Sequence, residues 1–318
     1  MSSRPYGYGS YRGRSGTSAL LKGIIVVLAV ILILAVAAFF FLQRYMVYSD
    51  DGTSYLDLPF LREEAPAPSL PPVVTPSQAP APTPEPDPTP IPRPERILPV
   101  ALPPEALYDG TAAELVTEGG GTAALFDMKN ADGKLAWVSG QDLAIAAKAS
   151  AADSDLNRSI KAEAGRDGVY RIARLSCFRD DLLFLTDTTL AIMTKSGYRW
   201  LDSDRIHWVW PADERVQAYL TGLCLELSEL GFDEILLDNA GYPTMGTLRY
   251  IDYGTDDLET VISRFYADLA DAMEGSGVTL SVVYDPDSAP LSGQSEDAIQ
   301  AAGMTAVTQE EGGRLVWP

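Results

Sequence analysis

Four acidic positions each stand where a short apolar run gives way to a turn: Asp127, Asp180 with its neighbour Asp181, Asp238 and Asp285. Cleaving a glycosidic bond needs two carboxyl groups flanking it, one to protonate the departing oxygen and one to act as nucleophile or base. Acids at the ends of several strands can supply such a pair if the fold gathers those ends at one mouth. Asp238, which closes the run Glu234-Ile235-Leu236-Leu237-Asp238, is the leading candidate for nucleophile or base, with Asp285 or Asp127 as the partner acid. The competing explanation is local. Asp and Asn start turns by bonding their own backbone, and 44 acids in 318 residues put several at strand ends by chance.

Other chemistries lack their parts. His207 is the sole histidine and lies in Arg205-Ile206-His207-Trp208-Val209-Trp210, with no serine nearby in a nucleophile-elbow pattern. One histidine and two cysteines, Cys177 and Cys224, do not make a zinc set, so no metal is expected. The two thiols read as buried and free. No glycine-rich phosphate loop or dinucleotide fingerprint is present, and no cofactor is expected. Trp200, Trp208, Trp210 and Tyr242 offer flat faces to a sugar ring. Tyr242, just beyond Asp238, is the one expected to touch substrate.

The elements that must position these residues alternate. Strands are expected over Thr122–Met128, Val169–Phe178, Leu190–Thr194, Glu234–Leu237, Val278–Tyr284 and Met304–Thr308, with Leu135–Ser139 as a hairpin arm and a last piece at Leu315–Trp317. Helices are expected over Asp142–Ala147, Asp155–Ala164, Ala212–Leu230, Asp256–Met273 and Glu296–Ala302. The long helix places Val216, Leu220, Leu223 and Leu227 on one stripe and stops at Gly231. Strand–helix alternation predicts an α/β fold with parallel pairing. About 210 residues is short of the usual (β/α)₈ barrel, so a small or incomplete TIM-type barrel is expected, with an open α/β sheet as the alternative.

Before this domain, expected over residues 108–318, the composition changes in steps. Residues 1–18 form a Gly, Ser, Tyr and Arg tail, expected to be cytoplasmic and disordered. Gly23 to Leu42 runs twenty residues without charge, enough to cross a bilayer as a helix. Residues 19–44 are therefore read as an uncleaved signal anchor that contacts lipid through residues 20–42. Basic residues ahead of the span favour a cytoplasmic N-terminus and an extracytoplasmic C-terminal domain. A juxtamembrane stretch, 45–64, leads to residues 65–104, where 16 of 40 residues are proline. Proline locks its own backbone and extends its predecessor, which makes this a semi-rigid linker. Five of the 24 basic residues and none of the 44 acids fall in 1–44, so the remainder carries 19 against 44, a net −25 that repels nucleic acid.

Three segments taken in order resemble a known family. Phe126-Asp127-Met128-Lys129 with Asp132-Gly133-Lys134, then Ile172 to Asp180 (IARLSCFRD), then Leu230 to Asp238 (LGFDEILLD) are similar to the putative glycosyl hydrolase family of bacterial TIM-barrel proteins. The resemblance covers roughly residues 120–290 and implies a glycosidase-like barrel acting on a cell-envelope polysaccharide. Carried over by position, Asp127, Lys129, Arg174, Asp180 and Asp238 match strand-end positions of the motif, which adds Lys129, Arg174 and Asp180 as expected substrate contacts. The chain departs from the family after Asp238. Asn239-Ala240-Gly241-Tyr242 precede Pro243 where relatives carry an arginine, so a cation near the acid is missing from that loop. An inert glycan-binding or structural module on the same barrel is the alternative function.

Overall fold

Branched and aliphatic side chains in runs of five to seven residues, each closed by a turn, build most of the sheet. The computed structural model describes residues 46–48, 54–56 and 91–318, apart from 167 and 311. The expected tail, the Gly23–Leu42 span and the proline-rich stretch up to residue 90 lie outside the described residues. Among the described residues no helix is long and apolar enough to cross a membrane. Near the N-terminus, β1 (Met46–Tyr48) pairs antiparallel with β2 (Ser54–Leu56).

The domain's own sheet has seven strands in chain order: β3 (Pro99–Ala101), β4 (Ala123–Lys129), β5 (Tyr170–Ser176), β6 (Glu234–Asp238), β7 (Thr279–Val283), β8 (Thr305–Gln309) and β9 (Leu315–Val316). All neighbours are parallel except β8 and β9, which are antiparallel. The helices are α1 (Ala112–Glu118), α2 (Asp142–Ala147), α3 (Leu156–Ala164), α4 (Asp181–Thr186), α5 (Glu214–Glu229), α6 (Leu258–Ala272), α7 (Ala289–Ser292) and α8 (Glu296–Ala301). Helix α5 starts where the Asp213 carboxylate accepts the Arg215 amide, satisfying one of the free N–H groups of a first turn. It ends at Gly231, whose φ of 89° turns the chain sharply into β6.

Side chains alternate across each strand, so the sheet has two apolar faces. Ala124, Phe126, Ala173, Leu175, Ile235, Leu237 and Val282 pack in one core with Leu220, Leu223, Leu227, Ile262, Phe265 and Leu269 of α5 and α6. The opposite face gathers Ala123, Leu125, Tyr170, Ile172, Leu236 and Val307 with Ile97, Leu315 and Trp317. Residues flanking the first and last strands thus meet in one cluster, the inside of a nearly closed seven-stranded barrel. Strands β3 and β9 do not bond to each other. A cavity of about 340 Å³ remains between them, lined in part by Leu125 and Arg174.

The strand expected over Leu190–Thr194 is absent among the described residues. Leu190–Thr194 is instead a 3₁₀ turn at Thr188–Leu190 followed by isolated bridges, because it pairs only one residue at a time with Val209, Arg199 and Ile251. Leu135 makes one such bridge, to Lys129, rather than a hairpin arm. The larger correction concerns where the fold begins. Residues assigned to the linker up to 104 include β3, and Ile97, Ala106 and Leu107 are buried. Pro99 opens an edge strand, a place where a missing N–H costs no ladder bond, so proline content concealed a strand.

Candidate active site

Register brings the first two functional side chains together. Asp127 on β4 lies opposite Arg174 on β5, and Ser176, two residues further along β5, lies opposite Asp238 on β6. The alternation of β4, β5 and β6 aims Asp127, Arg174 and Asp238 to the barrel's inner side, above Leu125, Ile172 and Leu236. These are the C-terminal ends of parallel strands, the face on which barrel enzymes place their chemistry.

Arg174 joins the two acids. Its Nε and Nη2 donate to Asp238 Oδ2 at 3.0 and 2.6 Å, and its Nη1 lies 3.6 Å from Asp127 Oδ1. Asp238 is 17% exposed and Asp127 68%, so the first lies inside the mouth and the second on its rim. With contacts of 2.6 and 3.6 Å to nitrogens of one planar guanidinium that are about 2.3 Å apart, the two acid oxygens can be no more than about 8.5 Å apart. Burial works against the Arg174 charge, but Asp238, its hydrogen bonds and Asp127 outweigh it and hold the guanidinium pKa above its ordinary value. A cation thus reaches Asp238 from the neighbouring strand, at a position the family motif shares, and not from the loop that follows the acid.

The turn beyond Asp238 fixes that carboxylate. Asn239 adopts a left-handed conformation with φ of 49°, one that Asn tolerates better than most side chains. Its amide donates to Asp238 Oδ1 at 2.8 Å, while its side chain donates to Ser176 Oγ at 3.1 Å. Both oxygens of Asp238 therefore accept hydrogen bonds.

The other expected site residues are placed elsewhere. Lys129 and Asp180 pair at 2.8 Å with side chains 0% and 2% exposed, and Lys129 Nζ also donates to the Ser176 carbonyl. Asp180 Oδ1 caps the Leu183 amide at the start of α4. A buried, fully used pair braces the loops after β4 and β5 and offers no surface to substrate. Asp285 is exposed, and its carboxylate accepts the Asp287 amide in its own turn, the local role acids often take. Tyr242 is 1% exposed, edge-on to Trp210 and Tyr253, so it packs rather than faces a ligand. Trp200 and Trp208 are buried too. Asp181 hydrogen-bonds His207 Nδ1 at 2.6 Å, and the imidazole stacks on Phe184 with centroids 3.6 Å apart, a packed loop anchor. Cys177 and Cys224 are buried free thiols, and burial pushes the Cys224 pKa up to about 12. No cluster of three metal-binding side chains occurs among the described residues.

Sequence reasoning missed Glu234. It lies on the same face of β6 as Asp238 but at the opposite end of the barrel, wholly buried, accepting from Trp317 Nε1 at 2.6 Å, Tyr170 Oη at 2.9 Å and Arg93 Nε at 3.3 Å. A charge at the first position of an otherwise apolar buried strand was the available signal. Also missed were Tyr198 and Tyr250, 74% and 52% exposed; Tyr198 sits in a Lys-Ser-Gly-Tyr-Arg turn that reads as an ordinary loop.

Comparison with known proteins adds one match by sequence. A family model described as "Putative glycosyl hydrolase domain" matches residues 110–286. No curated protein matches the chain. Among solved structures, a hypothetical protein from Ruminiclostridium thermocellum is 22% identical over 60% of this chain and 98% of its own, with a TM-score of 0.48. Ega3 from Aspergillus fumigatus, solved with galactosamine, is 16% identical over 59% of this chain and 60% of its own, TM-score 0.36. Alpha-L-fucosidase isoenzyme 2 from Paenibacillus thiaminolyticus is 14% identical over 69% of this chain, TM-score 0.44; the matched part spans 42% of that enzyme.

Proposed function

We infer the activity from one premise, that this chain belongs to the family described as "Putative glycosyl hydrolase domain", whose model matches more than half of it. The domain is glycoside hydrolase-like. The finer reading is hydrolysis of a cell-envelope polysaccharide, with Asp238 as nucleophile or base and Asp127 as the acid that protonates the leaving oxygen. The observation that carries it is the guanidinium of Arg174 contacting both carboxylates at the mouth of the barrel. An upper limit of about 8.5 Å between their oxygens is compatible with the roughly 5–9.5 Å that retaining and inverting pairs span. Arg174 offsets the charge of Asp238 and holds its orientation; Asp127, on the open rim, meets the side of a sugar that faces solvent.

The same reading places the domain outside the cytoplasm. Gly23 to Leu42 would span the bilayer, with residues 1–18 inside and the proline-rich stretch holding the barrel away from the lipid. Protease treatment of intact cells tests this: the C-terminal domain is degraded and the N-terminal tail protected.

One observation favours a second reading, an inert glycan-binding barrel. Asp238 accepts two bonds from Arg174 on Oδ2 and one from Asn239 on Oδ1, so most of its lone pairs are engaged within the protein and only one on Oδ1 is left to meet a sugar. Reducing-end release from purified envelope polysaccharide by the full chain, set against Asp238→Asn and Asp127→Asn, separates the two. Release by the parent protein that both substitutions abolish supports hydrolysis. Binding without release supports the inert module.

A further inference from the structure

Two loops at the C-terminal ends of the strands are built into one lobe. The loop between β5 and α5 contributes residues 193–201, and the loop between β6 and α6 contributes 245–252. The Lys195 amide donates to the Tyr250 carbonyl and the Asp252 amide to the Met193 carbonyl, both at 2.9 Å. Trp200 Nε1 reaches the Thr247 carbonyl at 3.3 Å, and Lys195 Nζ the Arg249 carbonyl at 3.2 Å. Gly246, with φ of 99°, lets the second loop press on the Trp200 ring, where any side chain would crowd it. Because both loops follow parallel strands of the same sheet, the lobe shares the catalytic face with Asp238.

Its surface is basic and aromatic. Tyr198 and Tyr250 expose 74% and 52% of their surface, and Met245, in the second segment, exposes 39%. Lys195, Arg199 and Arg249 are exposed, and none is ion-paired with a described residue, whereas Asp252 is the only acid in the two segments. Arg199 lies 5.4 Å from the Phe184 ring centroid and Arg249 4.8 Å from that of Tyr250, so stacking holds both guanidinium planes without neutralising them. A chain of net charge −20 therefore carries a cationic, aromatic lobe at its catalytic face.

We propose that this lobe binds an acidic polysaccharide, the tyrosine rings stacking on sugar faces while Lys195, Arg199 and Arg249 meet carboxylate or phosphate groups of the repeat. Apolar sugar faces suit tyrosine, which also keeps a polar tip in water. Charge complementarity selects the acidic class, since the two segments expose three cations against one acid. The proposal rests on the reading of the domain as glycan-directed and narrows the substrate to a charged polymer that extends beyond the two carboxylates.

Affinity electrophoresis of the full chain carrying Asp238→Asn, through gels containing alginate or neutral dextran, tests it without requiring turnover. Expected is retardation by alginate and not by dextran, weakened about tenfold or more by Tyr198→Ala with Tyr250→Ala and by Lys195→Glu with Arg249→Glu. Retention falls as salt rises from about 0.05 to 0.5 M, because exposed charges are screened. Tyr198→Phe with Tyr250→Phe keeps the binding, which shows that ring faces and not misfolding set the result. No retardation by alginate, equal retardation by dextran, or indifference to both pairs of substitutions overturns the proposal. Polysaccharide hydrolysis by the parent protein is scored separately, so loss of the catalytic reading leaves this outcome interpretable.

Discussion

Strand β6 carries a carboxylate at each end, Glu234 and Asp238, four residues apart and on the same inner face, and the two ends of the barrel use them in opposite ways. Glu234 is wholly enclosed and accepts from Trp317, Tyr170 and Arg93, groups drawn from the last strand's end, from β5 and from the segment before β3. It ties both edges of an incompletely closed sheet to its centre. Asp238 keeps an opening to solvent and shares Arg174 with Asp127. A charge enclosed at the N-terminal end of a barrel closes the structure; the same charge at the C-terminal end is available to a ligand.

Substitutions at the two ends are expected to separate these roles. Asp238→Asn is expected to lower polysaccharide turnover on the order of a thousandfold, the scale of a lost acid–base or nucleophilic group, with melting almost unchanged. Persistent turnover would place the chemistry elsewhere. Glu234→Ala is expected to do the reverse, costing about 3 kcal/mol of stability in denaturant unfolding because enclosed donors lose their acceptor. A loss below about 0.5 kcal/mol would mean that Glu234 is no clasp.

A smaller effect concerns pH. Burial first, then the charge of Glu234, hold the Tyr170 phenol well above its ordinary value. Unfolded tyrosine loses its proton near pH 10 while folded Tyr170 retains it, so the stability from this group is intact below about pH 10 and lost as pH rises further. Glu234→Gln should bring the phenol down and make that alkaline loss shallower, measured by ultraviolet titration against the parent. The smallest effect is expected at the edge of the clasp. Arg93 is 41% exposed, and Arg93→Ala should cost no more than about 1 kcal/mol, less in high salt.

How far the site was legible varied by residue. Asp127 and Asp238 could be read because each ends an apolar run and a run's last residue faces the rim. Asp285 satisfied the same pattern, yet its following Pro286 and Asp287 make a turn that uses the carboxylate locally. Lys129 and Asp180 were singled out separately as family-matched strand-end positions, but that they pair with each other and brace loops instead of touching ligand depends on what covers them. Tyr242 was chosen for its nearness in sequence to Asp238, whereas the chain's turn at Asn239 carries it beneath Trp210 and Tyr253. Strand β3 was hidden by prolines that an edge position tolerates.

Local pattern was enough for the alternation of strand and helix, the bounds of β4, β5 and β6 to within two residues, the stop at Gly231 and the acids at two strand ends, because periodicity, caps and turn residues act over a few neighbours. Register and burial, set across the whole fold, decided that Arg174 stands between Asp127 and Asp238, that Glu234 fastens the far end, and that the segments 193–201 and 245–252 become one cationic, aromatic lobe. Those outcomes depend on register between strands and on burial, and both are set by segments far apart in the chain.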